Sequence, residues 1–541
     1  MELKGRHRLT FLVLVTSALL GLVGCSSLSM KEKEQLLTMA QNKQYDQALT
    51  FLESNDSYKK EVNALLASFE KGMLLHLKGD YLESFHAFSK GLDISQEWFT
   101  KSVTKAAGKW IVNDNVDRYY GEIFEISMAH YYQVLNCYFL YQQNPQQKDW
   151  LFKSRAIIVS WYEYLREMKE KTLGESVFKR DLMQTLLGNL IHMEVDSSSD
   201  RQIAQSLAKE SQDLLFKHYS GYATFNNKYQ DFQKNYSQFK DFKESEIKEN
   251  FLGPTSHYDR LSSFLKDTVK TKPTPKGKTK FSILVENGWI PPKFPQQVRF
   301  GLGSIFETKD GNWSSFDKAI FYNFAGNVLG FSTPNSMGYD SNPALTTVMG
   351  AAAVDALTIE FELPSLLANP VTPHYFFVKV LPSGEVTPLP LVNPVGELAQ
   401  ETMAHKAAGL YARTGTRMGI KFLTAIAGAY LAYEAAGGSS GSMSTLAAMG
   451  TFYAAKKGIE ASEIADIRQF RLLPDSLFFG KVEASCQTGC QLVLIKSSTP
   501  DYSPSSVLEE QILETITQES GEIGKKSPPI PRHRLIRHRL I

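Results

Sequence analysis

The sequence predicts a multidomain protein: N-terminal all-α helical repeats followed by a C-terminal α+β domain. Three observations carry that expectation. From about Lys31 to Phe239, apolar residues recur every three or four positions, as in Ile157, Trp161, Leu165 and Met168, with few glycines or prolines. Beyond Phe281 the period shortens to strand-like runs over Phe281–Val285, Ile359–Leu363 and His374–Leu381, with turn residues such as Pro382-Ser-Gly384. Between the two, residues 240–280 are rich in Lys, Glu and Pro and read as a linker. At 541 residues the chain is past the size at which a single core keeps growing.

Taken in order, residues 1–24 read as a lipoprotein signal peptide. Lys4, Arg6 and Arg8 precede an apolar run from Leu9 to Val23, which ends Leu22-Val23-Gly24-Cys25. That ending resembles the bacterial lipobox, which implies diacylglyceryl attachment at the Cys25 thiol, cleavage before it and acylation of the new amine, a palmitate-type anchor. Two or three acyl chains hold a protein stably where one does not. Ser26 stands where an aspartate would favour the inner membrane, so the resemblance implies an outer-membrane location on the periplasmic face.

Residues 25–239 form the helical region, and within it the spacing is tetratricopeptide-like. Gly72, Tyr81, Ser84, Phe88 and Gly91 stand at the offsets of a helix pair in which small residues permit close approach and aromatics fill the groove. Tyr45, Ala48 and Leu52 echo the pattern upstream, and a degenerate copy runs from Glu122 to about Lys169. Residues 281–497 are the α+β domain. It contains helical stretches over 397–436 and 445–467, a core helix rather than a membrane span at Met418–Ala436, and a hairpin over Leu477–Ile495. The tail 498–541, ending in the duplicated Arg532-His-Arg-Leu-Ile536 and Arg537-His-Arg-Leu-Ile541, reads as disordered.

Composition narrows function. With 59 Lys+Arg against 57 Asp+Glu, the chain lacks the basic excess of a nucleic-acid binder. Four cysteines are too few for a disulfide framework or a zinc ribbon. Cys486 and Cys490, at the tip of the expected hairpin in an oxidising compartment, are a candidate disulfide, with free thiols as the rival. Cys137 reads as a buried small hydrophobe, and His76, His86 and His130 as helical residues rather than ligands. Gly437-Gly-Ser-Ser-Gly441 matches a hydrolase elbow only in letters, because a helix precedes it and a Gly/Ser run follows. Gly277-Lys-Thr279 lacks the earlier glycine of a phosphate loop. Glu122 and Glu125 read as solvated or structurally hydrogen-bonded carboxylates, and no catalytic, metal or cofactor set stands out.

Three separated stretches carry a wider likeness: Tyr120–Glu125 leading into Ala129–Asn136, Val285–Lys293, and Ala465–Asp475. Together they resemble a family of poorly characterised Gram-negative outer-membrane lipoproteins with N-terminal tetratricopeptide-like helices. The third departs from the family pattern at Ile467 and Phe470, where a small polar residue and a tryptophan are usual. The resemblance implies location and architecture and no assigned reaction. From the residues alone, Asn287-Gly288 reads as a turn, Pro291-Pro292 as an extended exit, and Arg468, Arg471 and Asp475 as ion-pairing residues that orient the segment entering the last hairpin.

The leading functional expectation is a protein–protein adaptor or scaffold in cell-envelope biogenesis. In it, stacked helices and their tyrosines (Tyr119, Tyr120, Tyr131, Tyr132, Tyr138 and Tyr141, most of them core) offer a concave surface to a periplasmic or outer-membrane protein. The alternative is an envelope hydrolase acting on peptidoglycan or glycan through the C-terminal domain, which requires an acid/base pair there. A third reading, a lipid carrier, rests on the apolar helices 418–436 and 445–459.

Overall fold

The computed structural model describes residues 28–103, 118–171, 180–228, 252–270, 278–301, 358–366, 374–404, 442–462, 464–486, 489–516 and 533–540, with isolated positions between 406 and 435. Cys25, the signal segment, the run 437–441 and nearly all of 418–436 lie outside the described residues. Among the described residues no helix is long and apolar enough to cross a membrane.

The N-terminal region is helical and the C-terminal region is a mixed α+β domain with several sheets. Four consecutive helix pairs make the first: α1 (Met30–Gln41) with α2 (Tyr45–Ser54), α3 (Ala64–Lys78) with α4 (Tyr81–Val103), α5 (Ile123–Gln143) with α6 (Asp149–Lys171), and α7 (Leu182–Val195) with α8 (Ser198–Lys217). Local signals start several of them. Ser29 and Glu32 form a capping box at α1, and Asp181 and Ser197 accept the first free N–H groups of α7 and α8. The spacing read from 72 to 91 has the expected physical meaning. A Cβ on Gly72 would fall 2.8 Å from the Phe88 ring, and one on Gly91 2.6 Å from the Phe69 ring. Ser84 Oγ donates to the Gly72 carbonyl at 2.7 Å, so α3 and α4 touch along small residues.

Helices α3, α5 and α7 are buried on nearly every side, whereas α4, α6 and α8 keep an exposed stripe. The reason lies in the second region, which packs against the inner helices. Its first sheet has the order β10-β1-β7-β6, with β1 (Thr279–Asn287) antiparallel to β7 (Ser476–Ala484) and parallel to β10 (His533–Leu540), and β6 (Leu391–Asn393) on the far edge. The second is antiparallel, in the order β5 (Val386–Leu389), β4 (Tyr375–Leu381), β8 (Cys490–Ser497), β9 (Val507–Ile516). Phe376 of β4 meets Phe478 of β7 edge-on at 4.6 Å, joining the sheets. A separate ribbon pairs β2 (Lys293–Gly301) with β3 (Thr358–Leu366), beside helix α10 (Ser442–Ser462). One continuous apolar core runs from Leu28 in the helical region to Ile536 in β10.

Four expectations are corrected. The supposed linker contains helix α9 (Ser256–Val269), capped by Thr255, with Leu261 and Leu265 wholly buried. Its helical period was hidden by the lysines and prolines on either side. Arg260 on α9 donates to the Phe376 carbonyl at 3.1 Å and lies over Phe377 at 4.5 Å, so this segment fastens α9 to β4. The hairpin over 477–495 does not form: β7 is already paired on both edges, by β1 and β6, so the chain turns into the second sheet beside β4. The helix expected over 445–467 ends at Ser462, and the chain runs on without regular structure. The tail expected to be disordered supplies β9 and β10. β9 is held by its backbone ladder to β8 and keeps mostly exposed side chains, so its composition stays polar.

Candidate functional site at the seam between helices and sheets

The three stretches that carry the family likeness meet in space. After α10 the chain crosses the inner faces of α3 and α5 as a segment without regular structure, Ala465–Asp475, which turns at 471–473 before entering β7. Phe470 is fully buried between Phe69 at 5.5 Å and Phe88 at 6.3 Å, ring to ring. Its N–H donates to Glu125 Oε1 at 2.9 Å, and the N–H of Arg471 donates to Glu70 Oε1 at 2.7 Å. Two glutamates from neighbouring helices thus take consecutive backbone donors of a segment that has no strand beside it there. Gln469 donates to the Pro291 carbonyl at 3.1 Å and accepts from Lys293 N at 3.0 Å, and Ile290 N donates to the Leu473 carbonyl at 2.9 Å. Those bonds stitch Val285–Lys293 to Ala465–Asp475. Gly288 takes the left-handed conformation expected of the Asn287-Gly288 turn, at φ 65°.

Charge fills the remainder. Glu122 caps α5 and binds Lys293 Nζ at 3.2 Å and Lys406. Burial raises its carboxyl, but the two ammonium groups outweigh it and hold it down at about 2. Glu125 is raised by burial, while the Lys293 charge and the Tyr119 hydroxyl bonded to it pull the other way. Glu70 receives only neutral backbone donors at close range, and burial pushes it up to about 8. Lys33 on α1 is fully buried and donates to the Ile467 carbonyl at 2.6 Å; burial, aided by Lys293 and Arg471, pushes it down to about 7. Arg468 pairs with Asp466 at 2.7 Å and reaches Asn63 at 3.2 Å, and Arg471 pairs with Glu34 at 3.3 Å. The expected orienting role of Arg468 and Arg471 is therefore seen. Asp475 contributes through its backbone, donating to the Asn287 carbonyl at 3.1 Å and accepting from Gly396 N at 2.8 Å.

A second polar cluster lies along β1. Tyr131 on α5 donates to Glu286 Oε1 at 3.0 Å, and Arg537 and Arg539 of β10 approach Oε2 at 2.6 and 3.3 Å. Burial raises Glu286, yet the arginines overcome it and hold the carboxyl at about 2. Nearby, His76 Nδ1 meets Asn136 Oδ1 at 2.6 Å, and Asn136 donates to Ser84 at 2.8 Å. Burial lowers His76 to about 3, so its ring stays neutral.

The remaining candidates fall into place. Cys486 and Cys490 are disulfide-bonded, with Cα atoms 4.9 Å apart. Cys137 is buried and its thiol is pushed up to about 12 by that burial. His130 is buried and lowered to about 3 by desolvation, while His86 is exposed. Of the two readings left open for Glu122 and Glu125, solvation or structural hydrogen bonding, the second holds: Glu125 is fully buried, Glu122 is part-buried, and both accept structural hydrogen bonds. Tyr119, Tyr131, Tyr132, Tyr138 and Tyr141 are core residues and Tyr120 is half-buried; Arg468 lies over Tyr119 at 5.5 Å, Tyr131 bonds Glu286, and Tyr141 bonds Glu194. In the α+β region, Glu397 is raised by burial and feels the Asp475 charge. Its oxygens accept from the Thr224 N–H at 3.2 Å, the Thr224 hydroxyl at 2.5 Å and the Ala223 N–H, which makes it a clamp to the helical region. Among the described residues no group of His, Cys, Asp and Glu is set to hold a metal ion. The chain matches no family model, no curated protein and no solved structure.

Sequence reasoning missed Glu70, Lys33 and Glu286. The one available signal was a charged residue on an otherwise apolar face: Glu70 stands between Phe69 and Met73, and Glu286 ends an apolar strand.

Proposed function

We propose that this chain is an outer-membrane lipoprotein, anchored at Cys25 on the periplasmic side, that serves as a protein–protein adaptor in cell-envelope biogenesis. It would belong to the Gram-negative lipoprotein family it resembles, with helix pairs that are tetratricopeptide-like. The convergence of all three family-bearing stretches on one seam supports that membership. The observation that carries the adaptor reading is the outer helical face. Leu82 on α4 (42% exposed), Phe152 and Val159 on α6 (43% and 55%) and Ile203 on α8 (44%) present large apolar side chains to solvent. On this face the Arg155–Asp200 contact at 3.3 Å joins α6 to α8, and Arg155 lies over Phe152 at 5.4 Å. Because the inner face is spent on the chain's own segment, the partner meets this outer face, an apolar surface with a polar frame.

The test is crosslinking in intact cells with the full-length lipoprotein, compared with a Phe152→Glu/Val159→Glu variant. Deleting the helical region is no control, since the core is shared. A discrete protein captured by the native chain and lost by the variant supports the reading. Equal capture by both removes the outer face from it, and glycan captured in place of protein turns the reading towards the hydrolase. Cys25→Ser is expected to move the chain from the membrane to the soluble periplasmic fraction; continued membrane retention would sink the anchor assignment.

A further inference from the structure

The last strand of the chain is read like a ligand. β10 lies parallel to β1, from Lys280 opposite His533 to Asn287 opposite Leu540. On its other side Gln142 of α5 accepts from Leu535 N at 2.7 Å and donates to the Leu535 carbonyl at 3.1 Å, clasping the backbone as a neighbouring strand would. Glu286 takes Arg537 and Arg539, and Arg539 also reaches the Leu472 carbonyl at 3.4 Å and lies 4.2 Å over the Trp289 ring. Glu514 and Gln511 of β9 meet Arg534 and His538. Leu535 and Ile536 are buried. Both the backbone and the side-chain pattern of the segment are therefore recognised, the two ingredients of strand-addition peptide sites.

We infer that the channel between β1, α5 and β9 is a peptide-binding site for an extended Arg-x-Arg-aliphatic segment, that the chain's own Arg537–Leu540 is its resident ligand, and that the same segment binds when supplied in trans. β10 follows residues 517–532, a Gly-, Lys-, Ser- and Pro-bearing stretch with a contour of about 50 Å that can serve as a tether. The duplication does not blur the register. Sliding the upstream copy, Arg532–Ile536, into the place of Arg537–Ile541 would draw Pro528, Pro529 and Pro531 into the ladder, where they have no N–H to give.

The experiment uses the full-length chain carrying Arg537→Ala/Arg539→Ala, which weakens its own ligand, and a fluorescent peptide of residues 527–541. Anisotropy is expected to show saturable binding at least tenfold tighter than to the wild-type chain, whose tether holds its own copy at roughly millimolar effective concentration. A peptide with its four arginines replaced by alanine is expected to lose at least tenfold. Binding that ignores the arginines, or no binding by the folded variant, overturns the inference. Hydrogen exchange on the wild-type chain gives a second reading that needs no variant. The amides of 535–540 are expected to exchange well before those of 478–482 in β7; exchange of both together would make β10 an inseparable part of the sheet.

Discussion

Two buried carboxylates between helices and sheets, Glu70 at the seam and Glu286 along β1, are compensated in opposite ways. At the seam, Glu70 takes a neutral backbone N–H from the Ala465–Asp475 segment, and burial wins: its carboxyl is pushed up to about 8. Along β1, Glu286 takes two guanidinium groups, and burial loses: its carboxyl is held at about 2. A carboxylate that accepts backbone donors fixes where a segment runs without asking what its side chains are. One that accepts arginines reads sequence. The first is the grammar of a permanent core, the second that of recognition.

The contrast breaks first at Phe470. Phe470→Ala removes a buried ring wedged against Phe69 and Phe88, and should cost about 3–5 kcal/mol by the usual large-to-small arithmetic. Because one core spans both regions, chemical denaturation followed by helical and by tryptophan signals should give one coincident transition shifted downward. Separate transitions for the two regions would show that the seam is an interface rather than a core.

Glu286→Gln comes next. A buried acid deprived of its charge leaves Arg537 and Arg539 uncompensated, at a cost of roughly 3 kcal/mol near neutral pH. The sign follows from the lowered carboxyl. Its stabilisation is present above the ordinary glutamate range and disappears as pH falls towards about 2. The gap between wild type and variant, measured by urea titration, should therefore narrow steadily below pH 4.5. A gap independent of pH would mean that Glu286 acts through shape alone.

What the sequence made legible follows the same division. The helix pairs and β1, β3 and β4 were readable because their cues are local: a three-four period, small residues at 72, 84 and 91, and β-branched or aromatic runs. The three stretches that converge on the seam were also marked in advance, though nothing in them said that they touch. The rest depends on partners far along the chain. α9 was masked by its flanks, β7 and β8 part company because of edges occupied by β1, β6 and β4, and β10 forms where β1, Glu286 and Gln142 receive it. Arginine-rich ends look solvated until the acid that answers them is known.

The disulfide should matter less than either contact. Cys486 and Cys490 close a short loop at the crossing between sheets, so Cys486→Ser/Cys490→Ser should cost at most about 2 kcal/mol in the loop-entropy account. A thermal melt of the reduced wild type should agree with that of the variant. A much larger loss would place the crossing, and not the seam, at the centre of stability.

The last effect is also the sharpest test of the contrast, because it should improve the protein. Glu70→Gln keeps an oxygen for the Arg471 N–H and removes a group that burial discourages from ionising. With its carboxyl raised, Glu70 carries its full contribution below the ordinary glutamate value of 4.5 and loses it as pH climbs to about 8. The variant escapes that loss. Its stability should match the wild type at pH 4 and exceed it at pH 8, with the margin opening as pH climbs from 4.5 towards about 8. If the variant is instead weaker at every pH, Glu70 is answered by charge as Glu286 is, and the contrast between the two carboxylates fails.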